Sequence, residues 1–256
     1  MKRFAYAIGD CLVLSGRGAK HIMRRIDTLI TSAILPIIFL LLFKYLFGGA
    51  MGIALGDESY LNYVLPGILL MSFGFLASTT ATAVNDDMAK GLVARLRSMP
   101  VARPVFIVGH IFASLIRNSL ALICVVGLAL ALGYRSPATF TAWLCAIVIL
   151  LLFALAMTSI AVVMGFAASS PDAASAYGMP LMFLPYFTGA FVPIETMPQA
   201  LQVFCARQPV NTVWKAISGL TLGGEGYSIW AAIAWCAVIT IIFLIIGGLL
   251  FSRTEN

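Results

Sequence analysis

The residues best suited to chemistry are two histidines, His21 and His110, and five cysteines, Cys11, Cys124, Cys145, Cys205 and Cys236. The histidines are 89 positions apart, with no metal-type partner beside either. Each therefore reads as a packed or solvated side chain rather than a ligand. No two cysteines fall at a zinc-type spacing, and four lie in apolar helical stretches, so neither a metal site nor a disulfide framework is expected. The stretch Ser15-Gly16-Arg17-Gly18-Ala19-Lys20 is glycine-rich and basic. It departs from G-x-x-x-x-G-K-[ST], and no strand precedes it, so it is not expected to cradle a phosphate. No catalytic residue, bound metal or cofactor is expected of this chain. If the protein runs on ATP, another chain hydrolyses it.

The elements that must position any function are dictated by composition. Of 256 residues, 61% are hydrophobic and 10% charged, against about 25% charged in an average soluble domain. So few charges cannot cover the surface of a soluble domain this size. A soluble enzyme, a nucleic-acid binder and a disordered chain are excluded, leaving an all-α integral membrane protein. A span takes about 20 mainly apolar residues. Six stretches qualify, at 28–50, 61–84, 104–133, 141–168, 174–192 and 229–251. Pro36, Pro66, Pro180 and Pro185 lie inside them, which membrane helices tolerate when neighbours satisfy the freed carbonyls. The first 25 residues lack an apolar core and a cleavage site, so no removable leader is expected.

Basic residues assign the sides. Segment 1–27, loop 85–103 and the tail carry eleven Lys and Arg, whereas the alternate loops carry Arg135, Arg207 and Lys215. Both termini are therefore expected in the cytoplasm, and the net charge of +6 reflects this bias rather than nucleic-acid binding. Two cations remain inside spans. Lys44 is expected to snorkel to the outer interface. Arg117 is close to mid-membrane if the third span starts near Pro104, a costly place for a charge; the favoured alternative puts it near the inner interface, with Asn118 and Ser119 as polar neighbours. No Asp or Glu lies well inside a span, and no inverted repeat is evident. Both features disfavour an ion-coupled carrier.

Residues 85–100, NDDMAKGLVARLRSMP, read as a short helix capped by Asn85, Asp86 or Asp87 and ended by Pro100. Met88, Leu92, Val93, Leu96 and Met99 share one face, with Lys90 and Arg97 opposite. Such a helix either lies on the membrane or docks into a partner as a lever. Segment 193–221 breaks at Pro193, Pro198 and Pro209 into two helical pieces too apolar for a solvated loop. It is either a re-entrant hairpin buried against protein or an interfacial helix with Trp214 in the aromatic belt. At the N-terminus, Phe4, Ile8 and Leu12 suggest an amphipathic helix along the inner leaflet.

Three passages together resemble the permease subunit of type-2 ABC exporters, above all the daunorubicin- and doxorubicin-resistance type. Leu35-Pro36 followed by Phe43-Lys44-Tyr45-Leu46-Phe47-Gly48-Gly49 resembles the family's opening helix. Asp87, Gly91, Arg95, Arg97, Pro100 and Arg103 match D-x-x-x-G-x-x-x-R-x-R-x-x-P-x-x-R. Gly189, Phe191-Val192-Pro193, Met197-Pro198 and Gln208-Pro209 resemble the hairpin between helices five and six, and Arg117-Asn118 and Gly133-Tyr134-Arg135 the third helix. Two positions depart from the family pattern: Ala94 stands where many relatives have an acid, and Gln208 where the hairpin often has Asn.

The resemblance implies a six-span permease with an N-terminal interface helix, a cytoplasmic coupling helix and an outer re-entrant hairpin. It sits in the inner membrane of a prokaryote, pairs with a second permease copy, and is driven by two copies of a P-loop ATPase that bind ATP and Mg. Asp86, Asp87, Lys90, Gly91, Arg95 and Arg97 would form the coupling joint, with a lesser contact at Ser169-Ser170-Pro171-Asp172. Phe39, Phe43, Phe73, Phe75 and Phe187 are candidates to line a cargo path at the dimer interface. Their alternative is ordinary packing against lipid or neighbours. The implied cargo is apolar or amphiphilic: a drug, lipid or glycolipid. A channel or carrier independent of ATP, a polysaccharide-export permease and a non-transporting scaffold are the competing readings.

Overall fold

Long apolar runs in a chain this poor in charge fold as helices, because a helix satisfies its backbone donors and acceptors within itself. In a computed structural model of the protein, residues 26–49, 60–91, 105–223 and 226–253 are described, and all the regular structure among them is helical. The order is α1 (Ile26–Leu42), continued by a π-turn at Phe43–Phe47, then α2 (Tyr60–Ala89), α3 (Val105–Ala131) and α4 (Phe140–Ala167). A broken fifth segment follows: α5 (Pro171–Gly178), α6 (Pro180–Phe183) and a 3-10 turn at Leu184–Phe187. A second 3-10 turn (Ile194–Thr196), α7 (Gln199–Arg207), α8 (Pro209–Leu222) and α9 (Ile229–Arg253) complete it. Four of these helices are long and apolar enough to cross a membrane: α2, α3, α4 and α9. The expected N-terminal amphipathic helix lies outside the described residues.

The bundle is built around α2, which touches α1, α3, α4, α5, α6 and α8. Its most apolar window is 89% buried, whereas that of α9, which packs on α4 and α8, is 17% buried and turns Trp230, Ile241, Ile245 and Leu249 outward. We call the side carrying α7 and α8 the hairpin end and the opposite side, where α2 stops and α3 starts, the loop end. Small residues let backbones approach α2. Gly74 lies against the Leu181–Met182 backbone, Gly178 against Ser78, and Gly165 against Ala81 and Val84. A smaller cluster at the loop end joins Val84, Phe106, Ile107, Val162 and Phe251.

Three sequence expectations change. The helix of α2 does not stop near 84: it continues through Asn85, Asp86 and Asp87 to Ala89, so these residues end one helix instead of capping the next. Asn85 is a cap of another kind, its amide donating to the carbonyls of Gly165 (3.1 Å) and Ala168 (2.7 Å) at the end of α4. The fifth segment starts at Pro171, behind the N-cap Ser170, and its helical turns stop at Phe187 rather than 192. Pro180 and Pro185 interrupt it because each lacks an N–H and crowds the preceding turn. Arg117, which the favoured sequence reading puts near the inner interface, is enclosed by the bundle. It lies midway along α3, 8% exposed, with a guanidinium Nη2 donating to Thr80 Oγ1 at 2.8 Å.

Candidate functional site: the loop end and the hairpin end of α2

At the loop end, α2 terminates where Gly91 takes φ +70, a left-handed conformation that side chains with a Cβ adopt only at a cost. Gly91 N–H donates to the Met88 carbonyl at 3.0 Å, closing the last turn. Asp86 and Lys90 pair across that turn, both well exposed, which adds little stability. Asp87 is partly exposed, and its carboxylate lies 3.3 Å from His110 Nε2 on α3. The His110 ring meets Phe106 edge-on at 4.7 Å. His110, read from sequence as a packed or solvated side chain, is packed, and it links the end of α2 to the start of α3. Four of the six expected joint residues, Asp86, Asp87, Lys90 and Gly91, gather at this helix end. Arg95 and Arg97 lie outside the described residues.

At the hairpin end the chain unwinds at residues 188–193, and side chains from α2 and α8 take up its backbone groups. Tyr60 hydroxyl donates to the Phe191 carbonyl at 3.3 Å, and Tyr63 hydroxyl to that of Gly189. Asn211 Oδ1 accepts from Gly189 N–H at 3.4 Å. Gln208, just before Pro209 at the start of α8, does not cap its own helix. Its amide reaches back to the carbonyls of Phe187 and Leu184, which are left over where the 3-10 turn ends. Trp214 is half-buried, its ring over Gly189 and edge-on to Tyr63 at 6.2 Å. An asparagine at 208 would be one methylene shorter than the glutamine that makes these contacts. Sequence reading marked 208 and 214 but had no signal for their partners, which lie 21 to 151 positions away. The Lys44 ammonium also ends here, donating to the Leu132 carbonyl just past α3, where helix-end carbonyls favour a cation.

The five phenylalanines do not share one surface. Phe39 and Phe43 stack at 6.3 Å, and Phe43 continues onto Phe191 at 4.9 Å, which stacks on Tyr186 at 4.6 Å. This aromatic ladder ties α1 to the unwound segment. Phe73 is 1% exposed and packs on Phe153 of α4, a core position. Phe75 is half-buried on α2. Phe187 stays exposed against Phe204 of α7, edge-on at 5.8 Å. No group of three His, Cys, Asp or Glu side chains converges among the described residues.

Replacing Gln208 with leucine keeps the size but leaves the Phe187 and Leu184 carbonyls without their donor. Burying such groups unpaired costs about 1–3 kcal/mol. The expected outcome is faster amide exchange at residues 187–191 than in the wild type, with α4 and α9 unchanged. Unaltered exchange there would show that the Gln208 amide does not hold the segment.

Residues 10–222 match the family described as ABC-2 type transporter. The chain is 32% identical over 200 residues to the daunorubicin resistance ABC transporter permease protein DrrB1 of Streptomyces coeruleorubidus, covering 78% of this chain and 70% of that one. It is 25% identical over 235 residues to the probable doxorubicin resistance ABC transporter permease protein DrrC of Mycobacterium tuberculosis, covering 88% and 83%.

Proposed function

Because the chain belongs to the ABC-2 type transporter family, we propose that it is the permease subunit of an ATP-driven exporter, moving an apolar or amphiphilic cargo with energy from a separate P-loop ATPase. The observation that carries this reading is the run of α2. One unbroken helix, about 45 Å long at 1.5 Å per residue, joins the Asp87–His110 fastening at the loop end to the Tyr60 and Tyr63 hydroxyls that hold the unwound segment at the hairpin end. A push on the 92–104 loop would move that rod, and with it the closure around 188–193. ATP can drive the change only if the ATPase contacts differ between the two states of the bundle.

In this reading both termini and the 92–104 loop face the cytoplasm, six segments span the inner membrane, and two permease copies meet two ATPase subunits. Asp86, Asp87, Lys90, Gly91, Arg95 and Arg97 form the joint. Phe39 and Phe43 are the cargo-path candidates that the aromatic ladder favours, whereas Phe73 serves the core. The names of the relatives favour a drug-like amphiphile as cargo. ATP and Mg belong to the partner.

The test is purification from the native membrane followed by transport in vesicles. A P-loop ATPase is expected to co-purify, and cargo flux is expected to cease when its hydrolytic carboxylate is replaced. Flux that persists with a dead ATPase would instead establish a channel or carrier.

A further inference from the structure

The middle of the bundle holds a charge with no counter-charge. Arg117 is enclosed between α3 and α2, yet among the described residues no carboxylate lies within ion-pair distance of it. Among the described residues its one polar contact is to Thr80 Oγ1, and its Nε is buried without a partner there. Counted from Val105, Arg117 is about 18 Å along its helix, and Thr80 and Thr158 are each about 14 Å from the loop-end termini of α2 and α4. The three mark one layer of the bundle.

The rest of that layer cannot neutralise the charge. Thr80 Oγ1 and Thr158 Oγ1 lie within bonding distance of their own helix carbonyls, Leu76 (3.0 Å) and Ala154 (2.7 Å). Ser114 Oγ bridges them, at 3.2 Å from Thr80 and 2.8 Å from Thr158. Asn118 Nδ2 donates to the Ser114 carbonyl (2.9 Å) and hydroxyl (3.1 Å), leaving its Oδ1 buried and unpaired. The hydroxyls would bridge three helices without any charge. A guanidinium at mid-membrane costs at least about 2.5–3.5 kcal/mol, and it offers a planar fork of donors shaped for carboxylate and phosphate oxygens. Arg117 and Asn118 reach the adjoining hydroxyls of Thr80 and Ser114, and the unmet donor on the one and unmet acceptor on the other call for a group carrying both an anionic oxygen and an O–H. A singly protonated phosphate monoester is such a group.

We propose that Arg117 and Asn118, braced by Thr80, Ser114 and Thr158, form a binding site for the phosphate head of an amphiphile. As a statement about cargo this rests on the permease reading; as a binding site it does not. The phosphate can come from a membrane lipid or from a free amphiphile, and the two sources are separable.

The purified full chain in phosphatidylcholine nanodiscs, without ATP, is titrated with dodecyl phosphate and with dodecanol. Dodecyl phosphate is expected to bind at least about tenfold more tightly, the equivalent of one charge-assisted contact. Arg117→Gln is expected to erase the difference, Arg117→Lys to keep part of it, and Asn118→Leu to weaken phosphate binding alone. Competition by phosphatidic acid in the discs would mark a lipid as the source, and its failure to compete a free amphiphile; both support the site. Equal affinity for dodecanol and dodecyl phosphate in the wild type overturns the proposal. So does an undiminished phosphate preference in a monodisperse Arg117→Gln. Should the Gln variant not fold, the wild-type comparison and Asn118→Leu still decide. ATP-driven flux without phosphate preference would defeat the site alone, and phosphate preference in a chain with which no ATPase co-purifies from the native membrane would defeat the permease reading alone.

Discussion

Gly74→Ala is expected to be the most damaging small substitution in the bundle. A Cβ at that position would lie 2.4 Å from the Leu181 carbonyl oxygen, 2.7 Å from its carbon and 2.9 Å from Met182 Cα. All three are backbone atoms of α6, so no side chain can swing aside. Either α2 withdraws from the fifth segment or α6 shifts, and the neighbouring close approach of Gly178 to Ser78 must change with it. Overpacking of a tight contact costs about 1–3 kcal/mol, and the rigid backbone places this case at the upper end. Gly127→Ala is the matched control, because nothing lies within 4 Å of its added Cβ, and alanine favours a helix by about 0.5–1 kcal/mol. Thermal unfolding in detergent, followed by gel-filtration monodispersity, is expected to separate the two variants in opposite directions from the wild type. Identical midpoints for Gly74→Ala and Gly127→Ala would mean that the approach of α2 to α6 is not the tight contact described.

The second large effect concerns function rather than folding. Gly91→Val places a β-branched residue at φ +70, where an L side chain costs about 1–2 kcal/mol. No atom lies within 4 Å of the added Cβ, so the penalty is conformational alone. The cheapest escape is to rotate the backbone back to helical angles and let α2 run on, which re-aims the 92–104 loop. Under the proposed mechanism, ATP-driven transport in vesicles falls by about tenfold or more, in keeping with the loss of a contact worth at least 1.4 kcal/mol. Membrane insertion and unfolding temperature stay near wild type. Gly91→Asn is the informative partner, since Asn enters the left-handed region readily and is expected to retain most of the transport. Equal transport by the Val and Asn variants would remove the left-handed turn from the coupling mechanism.

The sequence was most legible where signals are local. The excess of apolar over charged residues declares a helical membrane protein because no other backbone arrangement of that composition leaves its polar groups satisfied in lipid, short of a barrel. The ordered motifs around Pro36, Gly91 and Pro209 pointed to the family that the chain matches. Local cues misled at Asn85-Asp86-Asp87, which are good N-caps by type. In the fold, Asn85 instead ties off α4 and Asp87 meets His110, and the glycine two residues after Ala89 ends the helix. Likewise Pro180 and Pro185 read as tolerated within one span and did not show where the chain would unwind, because that depended on Gln208, Asn211, Tyr60 and Tyr63.

Helix content, the apolar stretches and the charge asymmetry of the loops follow from residue type and spacing within a few turns, and so could be read directly. The occupancy of the polar groups could not. Arg117 finds Thr80 at a separation of 37 positions, Ser114 finds Thr158 at 44, and Asn85 finds Gly165 at 80. Each pairing exists because two helices pack at a particular rotation and depth, set by close backbone approaches such as Gly74 to Leu181 and not by any pattern along the chain.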